Sequence, residues 1–140
     1  MRPEAHLFVS AALSSVFYLL TGSVEGAVAV FVGGFFIDLD HFLDFWIYKR
    51  RITYTSEFFS HYSLKMGKMY VLLHSVELLW LLCFAQVVTG STALLGFCVG
   101  MTVHLVMDML GNGKNPMMYF MSYRIMNGFR IELLRWKKKW

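Results

Sequence analysis

The sequence predicts an all-α integral membrane protein: a four-helix bundle in one membrane domain, residues 1–140, with a cytoplasmic amphipathic helix at its C-terminus. Three observations lead there. The chain is 57% hydrophobic and only 16% charged, against roughly 25% charged in an average soluble domain. The charges are also segregated. No Asp, Glu, Lys or Arg falls between Glu4 and Glu25, residues 26–37 are again uncharged, and Glu77 is the lone charge from Met69 to Met107. Runs of this length reach the ~20 residues that cross a bilayer. Finally, two short glycine-bearing breaks, "TGSVEG" at 21–26 and "TGST" at 89–92, divide the apolar runs as tight turns between antiparallel helices would.

The first helix is expected over 5–21. Arg2 precedes it, as in a signal peptide, but no small-x-small site closes the run near 20–24 and a second span follows at once, so it reads as a retained helix. The second helix is expected over 24–47. Residues 48–69, polar and basic with interspersed aromatics, form an interfacial loop. The third and fourth helices are expected over 70–88 and 91–110. Cys83 and Cys98 fall mid-span and, with no CxxC present, read as small packing residues.

Beyond "GNGKNP", a second interfacial segment covers 114–140. Met126, Phe129, Leu133, Trp136 and Trp140 recur there at spacings of three and four. Arg124, Arg130, Arg135 and Lys137 to Lys139 fill the other positions. This pattern fits a basic amphipathic helix on anionic lipid, or a helix packed on the protein with a solvated charged face. All 13 Lys and Arg avoid the two short turns. The positive-inside rule then places both termini and the 48–69 loop in the cytoplasm, for a multi-pass protein of the inner or plasma membrane. Expected partners are membrane lipids, anionic headgroups included. Nucleic acid is not expected, and a homo-oligomer is left open.

The chemistry lies in the few polar residues within these spans. In "GGFFIDLDHFLDFW" (33–46), aspartates and a histidine interrupt an apolar stretch, and burying a carboxylate in hydrocarbon is costly unless something compensates. Counted from the glycines of the outer turns, His6, Asp38, His41, His74, Glu77, His104 and Asp108 all lie roughly 20–28 Å along their helices at ~1.5 Å per residue. Four helices thus deliver polar groups to one slab near the cytoplasmic boundary. Asp38 with His41, His74 with Glu77, and His104 with Asp108 are spaced i,i+3 or i,i+4 and share faces. Asp40 points away from Asp38 on a regular helix, and the two converge only if the helix loosens there.

A bound divalent cation is the expected compensation, since it keeps clustered carboxylates ionised and imidazoles neutral. Histidine plus carboxylate without thiolate suits Zn, with Mn or Fe as alternatives. The candidate metal ligands are His6, Asp38, Asp40, His41, His74, His104 and Asp108, enough for one or two ions. His74 is also a candidate base, and Glu77 a base or orienting group. Asp44 and Glu77 can instead be interfacial or pair with Lys49 or Arg50, and His61 reads as a loop residue. Lys114 and Arg124 are candidates for holding an anionic headgroup.

At "IDLDH" (37–41) with "HLVMDML" (104–110), the chain resembles the YdjM-like family of membrane-bound proteins described as predicted metal-dependent hydrolases. The family's blocks are a histidine opening helix 1, D-x-D-H ending helix 2, His-Ser opening helix 3, and H-x-x-x-D ending helix 4 before a Gly/Pro segment. They fall here on His6; Asp38, Asp40 and His41; His74 and Ser75; and His104 and Asp108 before "GNGKNP". The likeness covers roughly residues 5–120. The family's helix 3 block resembles H-R-G-x-T-H-S-L, whereas this chain has "KMYVLLHSVE". The His-Arg and Thr are absent, with His61 or Glu77 as candidate substitutes.

The resemblance implies metal-dependent hydrolysis at the membrane. A site level with the headgroups points to a lipid or lipid-linked ester or phosphoester at the cytoplasmic leaflet. Two rival readings use the same residues. One is an ion or metal transporter, against which the outer halves of the helices lack charged groups. The other is a haem protein using one histidine per helix, against which carboxylates accompany three of them. A purely structural subunit is a further alternative.

Overall fold

The computed structural model describes residues 3–49, 67–111 and 115–134. Among these residues every regular element is helical, and the sole β pairing is an isolated antiparallel bridge between Lys68 and Arg130. Helix α1 (Pro3–Thr21) stops where Gly22 takes the left-handed φ of 69° that a glycine adopts freely. Ser23 then opens α2 (Val24–Phe35), its hydroxyl accepting the Gly26 N–H at 3.0 Å.

The expected second helix over 24–47 is not continuous. A 3-10 turn at Phe36–Asp38 separates α2 from α3 (Leu39–Lys49). This is the loosening that Asp38 and Asp40 need in order to converge. The expected third helix also departs from its predicted start at 70. Helix α4 (Val76–Thr89) begins only after Ser75, whose hydroxyl caps it by accepting the Leu78 N–H at 3.2 Å. Residues 67–75 form an irregular strap, because side chains from elsewhere take the backbone groups that a helix would pair internally. Gly90, at φ 66°, ends α4, and Ser91 leads into α5 (Thr92–Gly111) by accepting the Leu94 N–H at 3.2 Å.

The C-terminal segment is not one amphipathic helix where it is described. A 3-10 turn at Pro116–Tyr119 leads to α6 (Met121–Met126), a reversal at Gly128 and Phe129 (φ 58° and 59°), and a short α7 (Ile131–Leu134). The reversal docks on the strap: Met69 N–H donates to Phe129 O at 3.0 Å and Ile131 N–H to Gly67 O at 3.2 Å. Those bonds displace the helical register that the apolar spacing suggested. His61, Lys114, Arg135, Trp136, Lys137 to Lys139 and Trp140 lie outside the described residues.

Helices α2 and α5 form the central contact, with α1 against α2 and α4 against α5. Their seam is built from glycines. A methyl group on Gly96 would run into the Gly26 carbonyl, and one on Gly100 into the Val30 carbonyl. This is the close backbone approach typical of helices packed within membranes. Three helical stretches are long and apolar enough to cross a membrane: Glu4–Thr21, Val24–Ile47 and Thr92–Gly111. Val76–Thr89 is a shorter apolar helix. The buried apolar cluster sits at the end of the molecule away from the short turns. There Ile37, Met101 and Leu105 meet Met69 and Val71 of the strap and Met118, Tyr119 and Ile131 of the C-terminal segment.

Candidate metal centre

The 3-10 turn, the strap and α5 converge on one polar cluster beside that apolar core. Asp38, His74, His104 and Asp108 each present an atom of metal-ligand type, and these four atoms lie within 4.8 Å of one another. Nε2 of His74 is 3.2 Å from Nε2 of His104. Both nitrogens lie 3.4 Å from Asp38 Oδ1. Asp108 Oδ2 is 3.6 Å from the first and 3.9 Å from the second. Zinc bonds of about 2.0–2.2 Å in a tetrahedron put neighbouring donors roughly 3.3–3.6 Å apart, close to these separations, so the cluster could hold a metal ion.

Hydrogen bonding on the far side of each imidazole fixes which nitrogen faces the cluster. His104 Nδ1 lies 2.8 Å from the Gly34 carbonyl, which can only accept, so Nδ1 carries the proton and a neutral ring turns the Nε2 lone pair inward. His74 Nδ1 lies 3.1 Å from both oxygens of buried Asp40, which orients this ring in the same sense. Two nitrogen lone pairs and two carboxylates therefore face one another in a buried space. Only protons or a cation reconcile them, and a carboxylate or carbonyl behind each ligating histidine is the usual support of a metal site. The residues present fit a metal ion.

The other predicted ligands, His6, Asp40 and His41, border this group. His6 is fully buried, stacks on His104 at 4.1 Å between ring centroids, and has Nε2 3.2 Å from Asp108 Oδ1. It therefore buttresses Asp108. Asp40 backs His74 and also accepts the Leu73 N–H at 2.8 Å. His41 lies at the open side, its side chain 22% exposed and its Nε2 3.7 Å from Asp38 Oδ1; the Asp38 side chain is 27% exposed. Asp40, His41 and His74 form a second group of potential ligands that shares His74 with the first.

Glu77, expected as a base or orienting group, belongs to neither group. Its carboxylate accepts from the Ser75 hydroxyl at 3.0 Å, Met121 N–H at 2.7 Å, and the N–H and hydroxyl of Ser122 at 2.9 and 2.7 Å. It fastens α6 to the start of α4. Arg124, expected to meet a headgroup, is wholly buried. Its guanidinium donates to the carbonyls of Tyr70, of Val71 at 2.5 Å, and of His74 at 2.9 Å. Burial holds its pKa below the ordinary arginine value, against the opposing pull of Asp40, Glu77 and Asp44.

Asp44, read from sequence as interfacial, is buried and accepts the N–H groups of Tyr70 at 2.8 Å and Val71 at 3.2 Å. Its i,i+4 spacing from Asp40 was the visible sign that both aspartates face one structure. Nothing in the sequence named that structure as the strap. Comparison of the chain with protein-family models, with curated proteins and with solved structures finds no match.

Proposed function

We propose that this protein is a membrane-embedded, metal-dependent hydrolase with four membrane helices. It acts on a lipid or lipid-linked ester or phosphoester at the cytoplasmic leaflet. The observation that carries the reading is the convergence of Asp38, His74, His104 and Asp108 at ligand spacing, with both histidines anchored through their far nitrogens. The resemblance of the D-x-D-H and H-x-x-x-D blocks to the YdjM-like hydrolases supports it. The segregation of basic residues supports an orientation with this end of the molecule in the cytoplasm.

One ion, most simply Zn with Mn or Fe as alternatives, accounts for the donors. The second group, Asp40, His41 and His74, shares His74 with the first, so one ion is the simpler reading. The close packing of the four donor atoms suits a bare ion better than a haem. When bound, such an ion lowers the pKa of a coordinated water and polarises an ester or phosphoryl oxygen.

The chain's own residues supply the rest. Asp38, its side chain 27% exposed, borders the open side of the cluster, from which a substrate would approach. His41, at the same opening and 4.6 Å from His74 between ring centroids, is positioned to take and return a proton. His6 and Asp40 hold Asp108 and His74 in place. The exposed Phe36 and Leu39 beside Asp38 provide an apolar approach from the lipid side.

A second reading comes from the same geometry. Four protein donors complete a tetrahedral shell, as in structural zinc sites, whereas a hydrolytic ion keeps one position open. Elemental analysis of protein purified without added metal tests the centre. One equivalent of transition metal is expected in wild type, and none in His104→Ala or Asp38→Asn. Incubating the metal-loaded protein with a panel of phospholipids and lipid-linked phosphoesters in vesicles then separates the readings. Turnover lost in His41→Ala while the metal remains supports hydrolysis. Full metal occupancy, no turnover on any lipid and unfolding upon chelation support the structural ion.

A further inference from the structure

We infer that the C-terminal segment 115–131 is a clasp that positions the metal ligand His74, with Arg124 as its central positioning residue. The inference rests on the metal-centre reading. Of the four converging donors, Asp38 lies in a 3-10 turn and His104 and Asp108 in α5, so each has a helical backbone behind it. His74 alone projects from the irregular strap. Its place depends on whatever holds residues 67–75.

That hold comes from two sides. From α3, Asp44 takes the N–H groups of Tyr70 and Val71, and Asp40 takes that of Leu73. From α6, Arg124 takes the carbonyls of Tyr70, Val71 and His74. The backbone of His74 is thus bound by Arg124, while its ring is bound by Asp40. Val71 sits at a φ of 32°, a left-handed conformation that a β-branched residue adopts only under constraint. Asp44 and Arg124 grip its N–H and its carbonyl, respectively. Glu77 completes the clasp by pinning the start of α6, and the pairing of residues 67–69 with 129–131 closes it.

A guanidinium is suited to this place. Its planar fork reaches several carbonyls at once, and its charge offsets Asp40, Asp44 and Glu77 nearby. The segment therefore contributes no ligand and yet decides whether one ligand is in register.

The test uses the full chain in detergent, loaded with Co²⁺, whose visible d–d spectrum reports ligand geometry. Affinity is measured by chelator competition and helicity by circular dichroism. Arg124→Gln is expected to keep the helical signal, weaken Co²⁺ binding about 10–100-fold and change the d–d band. Arg124→Lys is expected to recover part of both. Glu77→Gln, at a residue in neither ligand group, is expected to weaken binding less, with the same spectral change. A folded Arg124→Gln protein with wild-type affinity and spectrum overturns the inference. If both Arg124 variants fail to fold, wild-type affinity and spectrum in Glu77→Gln overturn it. Failure of wild type itself to bind Co²⁺ rejects the metal centre and the clasp together, and is seen in a different sample.

Discussion

The two ends of the molecule are held together by opposite means. Along the α2–α5 seam, glycines let backbones touch, and the contact is made of close packing with hardly a polar group. At the strap, two acidic side chains and one guanidinium hold irregular backbone in a buried setting, and Glu77 fastens α6 beside it. Backbone inside a helix satisfies its own polar groups, so two helices need only shape to join. A segment that leaves the helix must find a partner for each buried N–H and carbonyl. The polar end costs more residues to build, but it delivers what the seam cannot: an imidazole aimed at a chosen point.

The sharpest way to separate the two ends is to remove a ligand that rests on the seam helix. His104→Ala is expected to lose metal affinity by well over the ~10–100-fold typical of supporting residues, while circular dichroism stays near wild type because the glycine contacts remain. Next in size is Gly100→Leu, which drives a side chain into the Val30 carbonyl. Overpacking of this kind costs about 1–3 kcal/mol or more, visible as a lower unfolding midpoint, with metal per folded molecule falling less than in His104→Ala because the clash reaches only the Gly34 backbone behind that ligand.

Asp44→Asn breaks the other end. One carboxylate oxygen accepts both the Tyr70 and the Val71 N–H, and a neutral amide oxygen in its place accepts more weakly, for a loss of about 1–2 kcal/mol. Metal affinity is expected to fall roughly tenfold, so metal loss per kcal/mol of stability is larger here than at Gly100. Smallest is Ser23→Ala, which removes the α2 cap at the far end of the seam for about 1 kcal/mol and leaves the Co²⁺ spectrum untouched.

Much of this contrast was legible in the sequence. Uncharged runs and glycine turns located the apolar helices, because the energetics of burying charge leave a one-dimensional trace. The depth count brought Asp38, His74, His104 and Asp108 to one layer, and the conflict between Asp38 and Asp40 pointed to a loosened helix where the 3-10 turn lies. The strap was not legible. "MYVLLHSVE" is apolar enough for a helix, and what keeps it open comes from Asp40, Asp44 and Arg124, far away along the chain. Ser75 followed by Glu77 was a helix-start signal within reach. Arg124, spaced among apolar residues, reads as surface, since its buried partners are backbone carbonyls and carry no sequence signature.

The 3-10 turn also has a consequence for how such a chain can vary. Three residues at ~120° and ~2.0 Å each, instead of ~100° and ~1.5 Å, turn everything downstream by about 60° and advance it by about 1.5 Å. The azimuth of Asp40, His41 and Asp44 is thereby uncoupled from that of the glycines upstream. Along this stretch, unlike α5, helix-packing register and ligand register are set on opposite sides of the turn, and each can drift without dragging the other off target.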